Sequence, residues 1–263
     1  MRARHSLEDS FALFALVGFL AQIVDGALGM AYGVVSSSVL LSFGVPPAAA
    51  SAAVHGAEVF TTGASCASHI AHRNVNWRLF WILMPAGVLG GVMGAYVLTS
   101  FDAGFMRPLV AAYLGLMGGY ILWRAYTYPD QYRTHSRGFA GGLGVIGGFM
   151  DAAGGGGWGP VVSTGLLGSG GAPRPVIGTV NAAEFFLTLA VSLTFIIALA
   201  TGHWDSVNDL RGHGWAVAGL IVGGLLAAPL AGYVVRVIPH RALLVLVGVL
   251  ICALSAYQTL RLL

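Results

Sequence analysis

Long apolar runs separated by short polar joints organise this chain from end to end. The runs cover about residues 9–43, 47–71, 77–99, 104–126, 138–168, 173–201, 213–237 and 240–262, with Pro, Gly, Arg, Asp or His at the joints. About 20 apolar residues in helical form cross a hydrocarbon core roughly 30 Å thick. The pattern predicts an all-α integral membrane protein with about eight transmembrane helices. Trp77, Trp81, Trp123, Tyr126, Trp204 and Trp215 fall at the predicted ends, where amphipathic rings form an interfacial belt.

The pattern is also duplicated. Asp25–Thr62 aligns without a gap on Asp151–Thr188, pairing Asp25 with Asp151, Gly29 with Gly155, Gly33 with Gly159, Ser37 with Ser163, Gly44 with Gly170, Pro47 with Pro173 and Glu58 with Glu184. A weaker echo pairs Gly90-Gly91 with Gly223-Gly224 and Gly115 with Gly248. Two homologous four-segment repeats follow, over residues 1–126 and 138–263, with 127–137 as the connector. The opening segment of each repeat is too long for one straight crossing, since about 34 helical residues would reach roughly 50 Å. It has to break, tilt or fold back. The glycine-rich stretches 25–33 and 151–160 place the breaks, and Pro160 removes a helical donor.

Composition narrows the class. The chain is 57% hydrophobic and 9% charged, with a mean hydropathy of +0.80, against roughly 45–50% apolar and about 25% charged for soluble domains. A water-soluble fold is excluded. The basic residues are all Arg and scattered, so no patch exists to grip nucleic acid. Cys66 and Cys252 lie in apolar runs and read as packing residues, with no disulfide framework or zinc motif. The apolar run 11–24 follows Arg2 and Arg4 like a signal peptide, but Glu8 and Asp9 intervene and the run leads into the repeated motif, so it reads as part of the fold. With eight crossings, Arg2, Arg4, Arg73, Arg78, Arg124, Arg133, Arg137, Arg211 and Arg261 share one side, against Arg107, Arg174, Arg236 and Arg241. That asymmetry predicts both termini and the connector in the cytoplasm.

Broken backbone inside a membrane persists only where protein or a water-filled cavity satisfies its N–H and C=O groups. Matching breaks in two halves therefore mark a binding site, and half-helix N-termini suit an anionic substrate. Asp25 and Asp151 open the breaks and are placed either to cap the following helix or to meet substrate. Gly29, Gly33, Ser37, Gly155, Gly159 and Ser163 complete the candidate substrate-binding set, together with His55 and its counterpart Asn181. Small hydroxyls serve close helix packing equally well. Glu58 and Glu184 sit within the second segment of each repeat, where a bare charge is expensive, and are the candidate proton-coupling groups. Their alternative role is to tie down the broken backbone. His55 stands one turn from Glu58, as a metal pair would, but Asn181 is a poor replacement ligand, so no metal and no cofactor is expected. Gly154–Gly157 lacks a following Gly-Lys-Ser/Thr, and no nucleophile elbow is present.

The motif Asp25–Gly33, Pro47 before the second segment, Asn76-Trp77-Arg78 before the third and Gly178–Asn181 in the partner half together resemble the sulfite exporter TauE/SafE family, also called toluenesulfonate uptake permeases. The resemblance covers nearly the whole chain. It implies a multi-pass permease of the prokaryotic inner membrane, handling sulfite, sulfonates or other small organic anions. The expected partners are a small anionic substrate and the lipid bilayer, with a homo-oligomer compatible. The reading is a secondary transporter, proton-coupled, working by alternating access. A membrane-embedded enzyme or assembly factor, or a channel or metal-ion permease, is the alternative; no catalytic cluster is visible for an enzyme.

Overall fold

A computed structural model describes residues 2–28, 30–127, 135–204, 214–237 and 240–262, with side chains described for all of these except 2–10, 26–28, 173, 229–237, 240, 243 and 262. Among them the secondary structure is entirely helical: α1 (Arg2–Leu28), α2 (Tyr32–Ser42), α3 (Pro47–Ala71), α4 (Trp77–Ser100), α5 (Ala103–Arg124), α6 (Arg137–Gly154), a π-helical turn (Gly159–Ser163), α7 (Thr164–Gly168), α8 (Pro173–Ala200), α9 (Gly214–Val237) and α10 (His240–Leu262). Among the described residues four stretches are long and apolar enough to cross a bilayer, Trp77–Ser100, Ala103–Arg124, Arg174–Ala200 and Leu244–Arg261. Large apolar side chains such as Leu116, Trp81, Leu226 and Ile196 face outward. That is the arrangement lipid, rather than water, stabilises.

The helices stop where glycine and proline dictate. Met30 and Ala31 leave the helix between α1 and α2, with Ala31 at φ +117°, a conformation that strains a residue carrying a Cβ. Gly155 and Gly156 leave it after α6 with positive φ. Both α2 and α7 end in the same glycine cap. The Gly44 amide donates to the Leu41 carbonyl and Val45 to Leu40; Gly170 donates to Leu167 and Gly171 to Leu166. Pro47 and Pro173 then open α3 and α8, where a missing N–H costs nothing.

Each opening segment folds back on itself. The Phe43 ring, just after α2, rests on Phe14, about midway along α1, centroids 5.8 Å apart. Likewise His135 before α6 meets Ser169 after α7 at 2.7 Å. The α1–α2 hairpin therefore begins and ends at one end of the bundle, the Gly44 end, and the α6–α7 hairpin at the other, the Gly170 end. Arg107, Gln258 and Arg261 join Gly44 around a cavity of about 240 Å³, and Ser100 meets His203 at 3.0 Å. At the opposite end Asn76, Arg78, His135, Arg137 and Pro175 line a cavity of about 390 Å³. There Arg174 donates to Asn74 and the His72 carbonyl, and Arg241 covers the Tyr126 ring.

This placement corrects the expected arginine grouping. Arg107 and Arg261 were expected on opposite sides and share the Gly44 end, while Arg174 sits with Arg73, Arg78, Arg124, Arg137 and Arg241 at the Gly170 end. The physical reason is parity: a hairpin that returns inverts every helix between it and the next hairpin. Arg2, Arg4, Arg133, Arg211 and Arg236, with most of the connector, lie outside the described side chains.

Small residues let the hairpins pack crosswise. A Cβ at Gly223 of α9 would strike the Ala15 carbonyl and Phe19 amide of α1, and one at Gly90 of α4 would strike the Val145 carbonyl and Phe149 amide of α6. By contrast Gly142 on the exposed face of α6 has nothing within 4 Å of such a Cβ. Gly90→Ala should therefore destabilise by about 1–3 kcal/mol. Gly142→Ala should be neutral or stabilising by about 0.4–1 kcal/mol. Thermal melts of the purified variants in one detergent check the contrast.

Candidate functional site

The tips of the two hairpins meet. A Cβ at Gly33 would lie 2.8 Å from Gly156 Cα, 3.1 Å from the Gly155 carbonyl and 3.0 Å from Glu58 Oε1, so only glycine permits the contact. Ser37 Oγ donates to the Gly155 carbonyl. Helix α2 and the turn starting at Trp158 both begin here, so two sets of helical N–H groups converge on the same spot.

Acidic side chains organise these tips. Asp151 Oδ1 accepts the Gly157 and Trp158 amides at 2.7 and 2.9 Å, and Asp25 Oδ1 accepts the Tyr32 amide at 3.3 Å. Both carboxylates thereby satisfy donors that the break would leave exposed. The first residues of the returning segments reach further: Tyr32 donates its hydroxyl to the Leu220 carbonyl, and Trp158 its indole N–H to Val180. Tyr113 of α5 donates to the Gly156 carbonyl at 2.9 Å.

Helix α3 supplies the groups that grip the second tip. His55 Nε2 lies 3.0 Å from Asp151 Oδ2, at 0% and 4% side-chain exposure. Its Nδ1 donates to the Ser51 carbonyl at 2.8 Å, and Ser51 Oγ donates to the Ala152 carbonyl at 2.6 Å. One turn on, Glu58 is buried, and its carboxyl, His55 and Asp151 present three donor atoms within 4.8 Å of one another. Such a set can take up a cation; the His55–Asp151 edge has the length of a hydrogen bond, which one proton fills.

Helices α3 and α8 cross at Thr62 and Thr188, whose hydroxyls are 3.4 Å apart. Glu58 and Glu184 each stand one turn before that crossing, both buried. The symmetry stops at Asn181. Its Oδ1 accepts from Ser65 and its Nδ2 donates to the Ile177 carbonyl, so it is committed to α3 and its own helix.

Of the residues singled out in the sequence, Asp25, Gly33, Ser37, His55, Glu58, Asp151 and Gly155 converge on the two tips. Gly159 and Ser163 are buried in the π-helical turn behind Trp158, Asn181 turns aside, and Gly29 lies outside the described residues. Sequence reasoning missed Ser51, Tyr32, Tyr113, Trp158 and the Thr62–Thr188 crossing. Ser51 is one turn from His55, and Thr62 and Thr188 are repeat equivalents, so those three left a signal; Tyr113 left none.

The family model for the sulfite exporter TauE/SafE matches residues 14–258. Over 250 residues the chain is 43% identical to the probable membrane transporter protein YtnM of Bacillus subtilis (strain 168), covering 93% of this chain and 81% of that relative. No solved structure matches.

Removing the Asp151 carboxylate should strand two buried amides and the His55 ring. Asp151→Ala is expected to cost about 3–5 kcal/mol, read as a fall in the detergent melting temperature. Tyr113→Phe, which loses one hydrogen bond, should cost about 0.5–1.5 kcal/mol in the same measurement.

Proposed function

The chain belongs to the sulfite exporter TauE/SafE family of membrane transporters, and from that premise we propose that it is a proton-coupled secondary permease for a small sulfur-containing oxyanion, sulfonate or other organic anion. The observation that carries the reading is the meeting of two broken-helix tips at Gly33 and Gly156, with helical N–H groups converging between them. Asp25 and Asp151 hold the leading amides, of Tyr32, Gly157 and Trp158, so an oxyanion would be met by the N–H groups that follow them in the same first turns. The described arginines sit at the bundle ends, so backbone dipoles rather than side-chain cations hold the substrate.

Four carboxyl groups, on Asp25, Glu58, Asp151 and Glu184, are buried around the tips. An anion entering beside ionised carboxylates in a low-dielectric centre meets strong repulsion. Protons on Glu58 and Glu184 remove that repulsion, so anion and proton travel together. Glu58 lies one turn towards the Gly44 end of the α3–α8 crossing and Glu184 one turn towards the Gly170 end. Each glutamate thus serves one side of a centre that opens alternately to the two ends, as the hairpins part.

The same reading gives six full crossings, α3, α4, α5, α8, α9 and α10, with two hairpins entering from opposite faces. The two halves are then related by inversion. The shared glycine caps, the shared aspartate bonds to residues seven positions on, and the Thr62–Thr188 meeting support it. Arginine weight at the Gly170 end orients that end to the cytoplasm, and both termini to the opposite face.

Reconstituted protein should accumulate members of a panel of sulfite, thiosulfate, sulfonates and carboxylates when a pH gradient is imposed. Glu58→Gln and Glu184→Gln should each lower gradient-driven uptake at least about tenfold, an interaction loss of roughly 1.4 kcal/mol, while leaving the fold intact. Wild-type rates and pH dependence in both variants and in the double variant would remove the glutamates from the coupling step. Cysteines placed after Leu262 should react with an impermeant reagent from outside intact cells; reaction only after permeabilisation would reverse the orientation.

A further inference from the structure

We propose that His55 and Asp151 together hold one of the protons that accompany the substrate, and that this proton fastens the second helix break to α3. The proposal deepens the transporter reading and rests on it for the direction of coupling, but the geometry behind it is independent of substrate.

Hydrogen-bond chemistry at Nδ1 fixes the rest. Nδ1 of His55 faces two oxygens, the Ser51 carbonyl at 2.8 Å and Ser51 Oγ at 3.3 Å. A carbonyl has no hydrogen to give, and Ser51 Oγ gives its own to the Ala152 carbonyl. Both neighbours accept, so Nδ1 carries the hydrogen. A neutral ring then presents a bare lone pair at Nε2, aimed at Asp151 Oδ2 only 3.0 Å away. Two lone pairs do not face each other at that distance in a buried site, so one proton lies between them. Imidazolium with carboxylate and imidazole with carboxylic acid are two descriptions of the same single proton.

Asp151 Oδ1 meanwhile holds the Gly157 and Trp158 amides. The proton thus completes a chain from α3 through the carboxylate to the returning backbone. When it leaves for water at whichever end is open, the pair goes from neutral to one negative charge, the 3.0 Å contact becomes repulsive and α3 parts from the break. Groups that feel Asp151 from the surrounding elements are Glu58 on α3, Asp25 on α1, Glu184 on α8 and Tyr113 on α5. All are acids, so none can replace the lost positive charge. An arriving anion favours the protonated pair, and the protonated pair favours the anion, by the same factor. Asn181, the repeat counterpart of His55, cannot titrate and bonds elsewhere. Among the described residues the first break therefore has no matching lock.

Hydrogen–deuterium exchange of the full chain in nanodiscs, without substrate or gradient, tests this between about pH 5 and pH 9. With intrinsic exchange chemistry divided out, the amides of Gly155–Trp158 should open more as the pH rises, by up to about tenfold per pH unit, since one proton leaves per opening. Asp151→Asn keeps a carbonyl for both backbone amides and supplies an NH2 to the bare Nε2, so protection should persist and lose its pH dependence. His55→Gln, a non-titrating donor, should also flatten the profile. A flat wild-type profile, or an unchanged slope in both variants, overturns the proposal. So does a stoichiometric divalent metal in the purified protein by elemental analysis, because a metal would then fill the gap; none is expected. None of these readouts depends on which anion is carried, so an error in the substrate class leaves them untouched.

Discussion

Everything here turns on backbone groups that lipid cannot hydrogen-bond. A helix that stops inside a membrane exposes amides and carbonyls, each costing several kcal/mol unless protein answers them. Asp25 and Asp151 answer the amides, Ser37, Ser51 and Tyr113 answer the carbonyls, and both tips lie where the other tip shields them from lipid. The breaks persist because each is part of the other's environment. That dependence is also why a small change at one carboxylate can be felt across the whole centre.

Folding back, rather than running through, gives the protein its functional geometry. Because the two hairpins enter from opposite ends, their tips meet from opposite directions, and the contact between Gly33 and Gly156 belongs to neither end. Helices α3 and α8 cross beside this contact and carry Glu58 and Glu184 one turn to either side. The differences between the halves are concentrated at the same place: His55 grips the second tip, whereas Asn181 is occupied with Ser65. A scaffold nearly symmetric in its caps and crossings thus differs between its halves in how α3 and α8 meet the tips.

Much of this was legible in the residues. Glycine, proline and aspartate each impose a local rule, so the breaks, the Gly44 and Gly170 caps and the helix starts at Pro47 and Pro173 could be placed from sequence. Direction could not. An apolar run of the same length and composition serves equally to cross or to return, and the choice is made by contacts such as Phe14 with Phe43 and His135 with Ser169, far apart in the pattern. The arginine grouping failed with it, since it counted crossings. Ala31, strained at positive φ without being glycine, and Tyr113, one tyrosine in an ordinary apolar helix, carried no readable mark.

The crosswise packing of the hairpins has a consequence for how the molecule is made. Helix α1 finds its glycine-lined partner in α9, near the far end of the polypeptide, while α6 lies on α4, already behind it. During synthesis the first hairpin must wait in the bilayer, its face and its unanswered polar tip without their final neighbours, until most of the chain has left the ribosome. The crosswise packing also means that neither half carries a complete set of its own contacts.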